Sequence, residues 1–229
     1  MYIDTSVERG SQGAWQKFER GEIPLFEFYE SFGRELSDTT NGNLWHVEEI
    51  LYSRYCKRKG LEVPPLPKTL NVNGRELFGM MMRGSNTYDP HILQAIHRIR
   101  ATGRYKIIAL TNNFAKADVP PEEAKFLGWA DGATPNHLRT LFDDFCDSST
   151  LKMRKPEPGF YLLACERNGI QPGQAVFLDD IGMNLKAAKA LGMHTIHVAI
   201  GQTLAAVKIL ESKLGIDLTS TEPTATSKL

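Results

Sequence analysis

The sequence lacks most of the features that would assign it to a specialised class of protein. Its three cysteines, Cys56, Cys146 and Cys165, are far apart and form no Cys-x-x-Cys, so a reducing compartment is the simpler interpretation. The 27 Lys and Arg residues balance the 27 Asp and Glu residues, which argues against a nucleic-acid partner. No apolar run is long enough for a transmembrane helix, and the N-terminus does not resemble a secretory signal, so we expect no membrane association.

Several widespread active-site motifs are also missing from the sequence. It contains no Gly-x-Gly-x-x-Gly, no P-loop, no His-Glu-x-x-His and no Gly-x-Ser-x-Gly. What remains is an ordinary globular composition, with 41% hydrophobic and 24% charged residues. A length of 229 residues suffices for one large domain or for a domain with a small cap.

The pattern of apolar residues changes near the first third of the chain. Apolar residues repeat at helical spacing over 25–36 and over 44–55, and a further helix is predicted over 74–82. From residue 89 onwards, predicted helices and strands alternate, and residues 119–145 are expected to be irregular with short helices. The helices are predicted at 90–100, 158–168, 184–191 and 204–214, and the strands at 105–110, 175–178 and 195–199. Such alternation predicts an α/β fold with a parallel sheet that is covered on both faces.

Polar residues follow two of the predicted strands, where parallel sheets usually bind ligands. Asp179 and Asp180 offer hard oxygen ligands that suit Mg²⁺, although an Asp at this place can also cap the next helix. Thr111 offers a hydroxyl, and the turn after it offers backbone N–H groups that could hold a phosphate oxygen; an ordinary loop is the alternative. Lys155 would offset anionic charge if it lay at the sheet, and is otherwise a surface charge.

Three segments together carry a family resemblance. Residues 109–113 (Ala-Leu-Thr-Asn-Asn), 154–158 (Arg-Lys-Pro-Glu-Pro) and 176–182 (Val-Phe-Leu-Asp-Asp-Ile-Gly) resemble motifs II, III and IV of the haloacid dehalogenase (HAD) superfamily in order and spacing. Residues 176–186 are also similar to the phosphatase domain of soluble epoxide hydrolases, and residues 13–23 resemble the helical cap of that subgroup.

The resemblance implies an architecture and a set of roles. We expect a helical cap at 1–85, a HAD-type Rossmann-like core at 86–218 and a flexible tail at 219–229. The implied activity is that of a Mg²⁺-dependent phosphatase that acts on a small phosphorylated metabolite through an aspartyl-phosphate. Thr111 and Asn112 would bind the phosphate, and Lys155 would stabilise it and the nucleophile. Asp180 would bind Mg²⁺ directly, with Asp179 in or next to the shell of the metal.

The chain departs from the family at motif I, an apolar strand that ends in Asp-x-Asp and supplies the nucleophile. Asp4 is followed by Thr5 and Ser6, and no Asp-x-Asp precedes the other motifs. In the family this strand lies between the strands that carry motifs II and IV. We therefore expect a truncated hydrolase with doubtful Mg²⁺ affinity and little or no activity. The alternative is a non-catalytic binding or interaction protein derived from a HAD hydrolase.

The C-terminal residues Ser227, Lys228 and Leu229 match the peroxisomal address. Residues 219–228 are rich in Thr, Ser and Pro without apolar periodicity, which predicts an exposed tail that a receptor could reach. The expected partner is the peroxisomal import receptor and the expected location is the peroxisome, or otherwise the cytoplasm. Self-association of identical chains is left open by the sequence.

Overall fold

A computed structural model describes residues 9–38, 56–62, 70–84, 88–114, 119–129 and 134–220 of the chain. The predicted helix at 44–55 lies outside these residues, and so does the predicted tail from residue 221 onwards. No helix in the described segments is long and apolar enough to cross a membrane.

The described elements alternate as the sequence predicts from residue 89 onwards. The helices are α1 (Ala14–Glu19), α2 (Leu25–Ser37), α3 (Gly74–Arg83), α4 (Pro90–Thr102), α5 (Pro121–Leu127), α6 (Asn136–Arg139), α7 (Ser148–Leu151), α8 (Pro158–Asn168), α9 (Gly182–Ala190) and α10 (Thr203–Leu214). The strands are β1 (Ile108–Thr111), β2 (Asp144–Asp147), β3 (Val176–Asp179) and β4 (His194–His197), and single 3-10 turns occur at Gly10–Gln12 and Pro172–Gln174.

Local sequence explains where several helices begin and end. The Asp89 carboxylate accepts hydrogen bonds from the backbone N–H groups of His91 and Ile92, which caps α4. Gly103 then ends α4 in the left-handed conformation, at a φ of 60° that glycine adopts without penalty. α8 begins at Pro158 and ends at Asn168, so the predicted bounds 158–168 are confirmed.

The helices α1, α2, α3 and α5 share one apolar core, which we call the aromatic cluster. Its buried members are Ala14, Phe18, Leu25, Phe28, Tyr29, Phe32, Leu36, Phe78, Phe114, Leu127 and Trp129. Phe18 stacks on Phe28 with ring centroids 4.2 Å apart. α2 and α3 approach closely at Gly33 and Gly74. A Cβ added to Gly33 would lie only 2.7 Å from the carbonyl oxygen of Val72, just before the start of α3.

The strands form two separate parallel pairs, which confirms the α/β fold class. β1 pairs with β2 from Ile108 opposite Asp144 onwards, and β3 pairs with β4 from Val176 opposite His194 onwards. In the described part of the chain, no strand connects β1 to β3.

The same helix layers cover both strand pairs. On one face, the cluster around α4 and α10 contacts Ile107 before β1 as well as Leu178 in β3. On the other face, α8 contacts Leu110 of β1 and Phe177 of β3. The two pairs therefore lie in one layer. Each of β1 and β3 has one edge that pairs with a strand and one edge that has no strand partner among the described residues.

One strand was not expected from the sequence. The first two residues of β2 (Asp144–Asp147) fall at the end of the segment 119–145, which we predicted to be irregular with short helices, and that prediction was wrong at this point. The strand has four residues and an Asp at each end, so it lacks the apolar run that indicates a buried strand. β2 is recognised as a strand only from the three-dimensional structure, where Cys146 is fully buried and the strand pairs with β1.

Candidate functional site

The predicted site residues come together at the carboxyl ends of β1 and β3. Thr111 is the last residue of β1, and Asp179 is the last residue of β3. Lys155 lies in the turn that leads into α8. Loops at this edge of a parallel sheet usually hold the ligand, so the sequence-based placement agrees with the geometry of the strands.

Lys155 and Asp179 form an ion pair that is almost fully buried. The Nζ of Lys155 lies 2.8 Å from Oδ2 of Asp179, and the two side chains are 12% and 4% exposed. The other carboxylate oxygen of Asp179 accepts hydrogen bonds from the backbone N–H of Ile181 at 2.8 Å and from Nδ2 of Asn184 at 3.0 Å. Both oxygens of Asp179 are therefore engaged by the protein itself.

Asn112 holds the backbone of Lys155 from the other side. Its Oδ1 accepts a hydrogen bond from the Lys155 N–H at 2.8 Å, and its Nδ2 donates to the Lys155 carbonyl at 3.0 Å. This double contact fixes the lysine relative to the end of β1. The Asn112 side chain thus positions Lys155, and the hydroxyl of the half-buried Thr111 lies 3.5 Å from the Asn112 carbonyl oxygen. The phosphate-binding roles of Thr111 and Asn112 stay predictions.

Asp180 is exposed, in contrast to its buried neighbour Asp179. Its carbonyl oxygen lies 3.2 Å from Nε2 of His197 at the end of β4, and its carboxylate has no partner among the described residues. Asp147, at the end of β2, is engaged by the Thr150 N–H at 2.8 Å and caps α7. Among the described residues at this edge, Asp180 is therefore the carboxylate that remains available for a ligand.

The described residues do not form a complete Mg²⁺ site. No group of three or more His, Cys, Asp or Glu side chains within them could hold a metal ion. Mg²⁺ prefers octahedral oxygen coordination, and Asp179 is already paired with an ammonium group. Asp180 can supply one ligand, and further ligands would have to come from water, phosphate or other parts of the protein.

Two residues near the site were missed by sequence reasoning. Ser148 is fully buried, accepts a hydrogen bond from the Asn113 N–H at 3.0 Å and donates one to the Glu19 carbonyl at 2.5 Å. The Glu19 carboxylate lies 2.6 Å from Nε of Arg154, the residue before Lys155. Burial raises the pKa of Glu19, and Arg154 opposes that shift. No sequence pattern pairs these residues, because 135 positions separate Glu19 from Arg154.

Comparisons with known proteins agree with the family resemblance of the sequence. The model of the haloacid dehalogenase-like hydrolase family matches residues 11–192. The acyl-CoA dehydrogenase family member 10 of Mus musculus is 32% identical over 217 residues, covering 94% of this chain and 16% of that protein. The bifunctional epoxide hydrolase 2 of Rattus norvegicus is 30% identical over 150 residues, covering 66% of this chain and 25% of that protein. This chain thus spans a quarter or less of these two relatives.

A relative of similar size and a solved structure extend the comparison. The phosphoglycolate phosphatase of Psychrobacter arcticus is 27% identical over 200 residues, covering 87% of this chain and 69% of that protein. A HAD-family enzyme of Bacteroides thetaiotaomicron, solved as a magnesium complex, superposes with a TM-score of 0.50 at 18% identity over 87% of this chain and 85% of that chain. On the extent of the family match, the chain belongs to the haloacid dehalogenase-like hydrolase family.

Proposed function

We propose that this protein is a Mg²⁺-dependent phosphatase of the HAD type that acts on a small phosphorylated metabolite. The observation that carries the proposal is the fixed position of Lys155, held by Asn112 and Asp179 where β1 and β3 end. A buried ammonium group that is positioned in advance stabilises negative charge that develops on a phosphoryl group. The phosphoglycolate phosphatase among the relatives supports a small phosphorylated substrate.

Mg²⁺ would bind at Asp180, next to the Lys155–Asp179 pair. When bound, the metal would neutralise charge on the phosphate. The magnesium complex of the HAD enzyme from Bacteroides thetaiotaomicron supports the use of this metal. Because the described donors are too few for a complete site, we propose that affinity for Mg²⁺ is low in the 229-residue chain.

We further propose that the 229-residue chain is weakly active or inactive, as the missing motif I implies. The supporting observation is that, among the described residues, no strand pairs with both β1 and β3, although helices cover both strand pairs on two faces. Neighbouring strands lie about 4.8 Å apart, so one additional parallel strand between β1 and β3 would need them to be separated by about 10 Å. Such a strand would end beside Lys155, where a nucleophilic carboxylate is required.

The experiment compares the 229-residue chain with a version that carries an added N-terminal strand and Asp-x-Asp from a phosphatase relative. Phosphate release from a panel of small phosphate esters would be measured with and without Mg²⁺. We expect background rates for the first protein and Mg²⁺-dependent turnover for the second. Changing the first added Asp to Asn, or Lys155→Met, should abolish turnover. A folded extended protein without any turnover would contradict the proposal.

A non-catalytic binding protein is the second candidate. It is favoured by the engagement of both Asp179 oxygens and by the capping role of Asp147, which leave Asp180 as the available carboxylate among the described residues at this edge. The same experiment separates the two, because this candidate would bind phosphate esters without turnover in both proteins.

We also propose import into peroxisomes through Ser227, Lys228 and Leu229. A fluorescent protein that carries residues 221–229 at its C-terminus should concentrate in peroxisomes. The same reporter without Leu229 should remain in the cytoplasm, and an equal distribution of both reporters would contradict the proposal.

A further inference from the structure

A buried ion pair next to Lys155 joins two distant parts of the chain. Oε2 of Glu19, the last residue of α1, lies 2.6 Å from Nε of Arg154, and the two side chains are 7% and 17% exposed. Arg154 directly precedes Lys155 in the chain. The backbone of Lys155 is therefore restrained twice, by Asn112 at Lys155 itself and by Glu19 through the preceding residue.

Further contacts hold the same two segments together. Arg20 lies 3.4 Å from Glu157, and Nζ of Lys152 donates to the carbonyl of Gly21 at 3.0 Å. The segments also approach closely. A Cβ added to Gly21 would lie only 2.8 Å from Nζ of Lys152. Residues 19–21 are thus docked along 152–157, and the Glu19–Arg154 pair is the most buried charged contact between them.

Glu19 also balances the charge of this region. Burial raises the pKa of Glu19, and the adjacent cations Arg154 and Lys155 both oppose that shift by stabilising its carboxylate. If Glu19 were neutral, Arg154 would be a buried guanidinium without its carboxylate partner beside a second cation. A buried charge that has lost its partner forces the surrounding structure to move or to admit water. The segment that would move carries Lys155.

We propose that Glu19 is a positioning residue that acts through Arg154 to hold Lys155 against Asp179 and Asn112. The consequence for catalysis rests on the proposed phosphatase function, but the position of Lys155 can be measured without turnover. Through this ion pair, the position of Lys155 depends on how α1 packs against residues 152–157. α1 itself contributes no side chain to the Lys155–Asp179 pair.

The test measures the reactivity of individual lysines in the 229-residue chain. A short pulse of acetic anhydride, followed by peptide mass spectrometry, gives the acetylation rate of Lys155 and of the exposed Lys189 on α9. In Glu19→Gln, we expect severalfold faster acetylation of Lys155 and an unchanged rate at Lys189. The matched control is Glu22→Gln, which removes a carboxylate that pairs with Arg20 inside the same segment, and its Lys155 rate should be unchanged.

A double variant separates a positioning role from a general loss of packing. In Glu19→Gln combined with Arg154→Gln, the acetylation rate of Lys155 should be no faster than in Glu19→Gln alone, because Glu19 acts only through Arg154; a further increase in the double variant would contradict the proposal. An unchanged Lys155 rate in Glu19→Gln would overturn the proposal. So would an equal increase at Lys155 and Lys189, which would show that the whole chain has loosened. Neither result depends on whether the protein hydrolyses phosphate esters.

Discussion

The aromatic cluster and the strand layer are packed to different degrees. In the aromatic cluster, Phe28 and Phe78 are fully buried, and the ring of Phe78 lies 5.1 Å from that of Phe28. In the strand layer, Leu110 of β1 and Leu178 of β3 remain only partly buried, although helices lie on both faces. Interior strands of a covered parallel sheet are normally buried on both sides.

The difference reflects what each kind of core requires. A cluster of side chains is complete when its apolar surfaces are in contact, which α1, α2, α3 and α5 achieve. An interior strand also needs backbone hydrogen bonds along both edges, and unpaired edges tend to recruit another strand. Thr111 and Asp179 therefore lie at the ends of two strands that share no strand partner among the described residues.

The largest predicted effect sharpens this comparison by truncating one phenylalanine in each region. Phe78→Ala should lower the free energy of unfolding by about 3–5 kcal/mol, because it leaves a cavity among six aromatic neighbours. Phe177→Ala in β3 should have a smaller effect, about 1–2 kcal/mol, because that ring is only partly buried. Urea denaturation of both variants gives the two values. Equal losses would show that the strand layer is packed as well as the aromatic cluster.

The second prediction concerns the ion pair at the site. Lys155→Met should lower the free energy of unfolding by about 3 kcal/mol, because it leaves the buried Asp179 carboxylate without its cation. Lys155→Met combined with Asp179→Asn should recover much of that loss. Thermal unfolding of the two single variants and the double variant forms a double-mutant cycle. If the losses simply add, the two groups do not interact as described.

The third prediction probes the close approach of α2 and α3. Gly74→Ala should lower the free energy of unfolding by about 1–3 kcal/mol, because the new Cβ would press on the Tyr29 carbonyl oxygen and lie 2.7 Å from the backbone nitrogen of Gly33. Gly84→Ala is a matched control, since a Cβ there meets nothing nearer than 3.5 Å. The midpoint of urea denaturation measures both. A neutral Gly74→Ala would mean that the two helices can separate freely.

The smallest effect tests the attachment of β2 to α8 and depends on pH. Hydrogen bonds from Arg167 lower the pKa of Asp144 from 3.8 to about 2. A carboxylate with a lowered pKa stabilises the fold above its unfolded pKa, and this stabilisation is lost as the pH falls from about 4 towards 2. Asp144→Asn should therefore lower the free energy of unfolding by about 1 kcal/mol at neutral pH, since the exposed Arg167 is screened by solvent.

The control for this last variant is the same measurement in acid. Near pH 2 the difference between Asp144→Asn and the unchanged protein should shrink, because Asp144 itself becomes protonated. Urea denaturation at a series of pH values follows the difference directly. A difference that stays constant with pH would assign the effect to lost packing instead of lost charge.

The sequence predicted the local elements where local signals exist. The bounds of α8 follow from Pro158 at its start and Gly169 after its end, and the apolar run before Asp179 predicted β3 to within one residue at each end. β2 was missed because its four residues carry an Asp at each end. The assignment of residues 1–85 and 86–218 to separate domains stays a prediction, and Phe114 and Trp129 pack into the aromatic cluster although they follow residue 85.

The family, the α/β order of elements and the identity of the residues that meet where the strands end could all be predicted from the sequence alone. These follow from short motifs and from spacing, which act over a few residues. The contacts between distant positions appear only in three dimensions: Asn112 holds the backbone of Lys155, Glu19 pairs with Arg154, and the described strands form two pairs. The physical reason is that burying a charged or polar group costs free energy, and a partner from elsewhere in the chain offsets that cost.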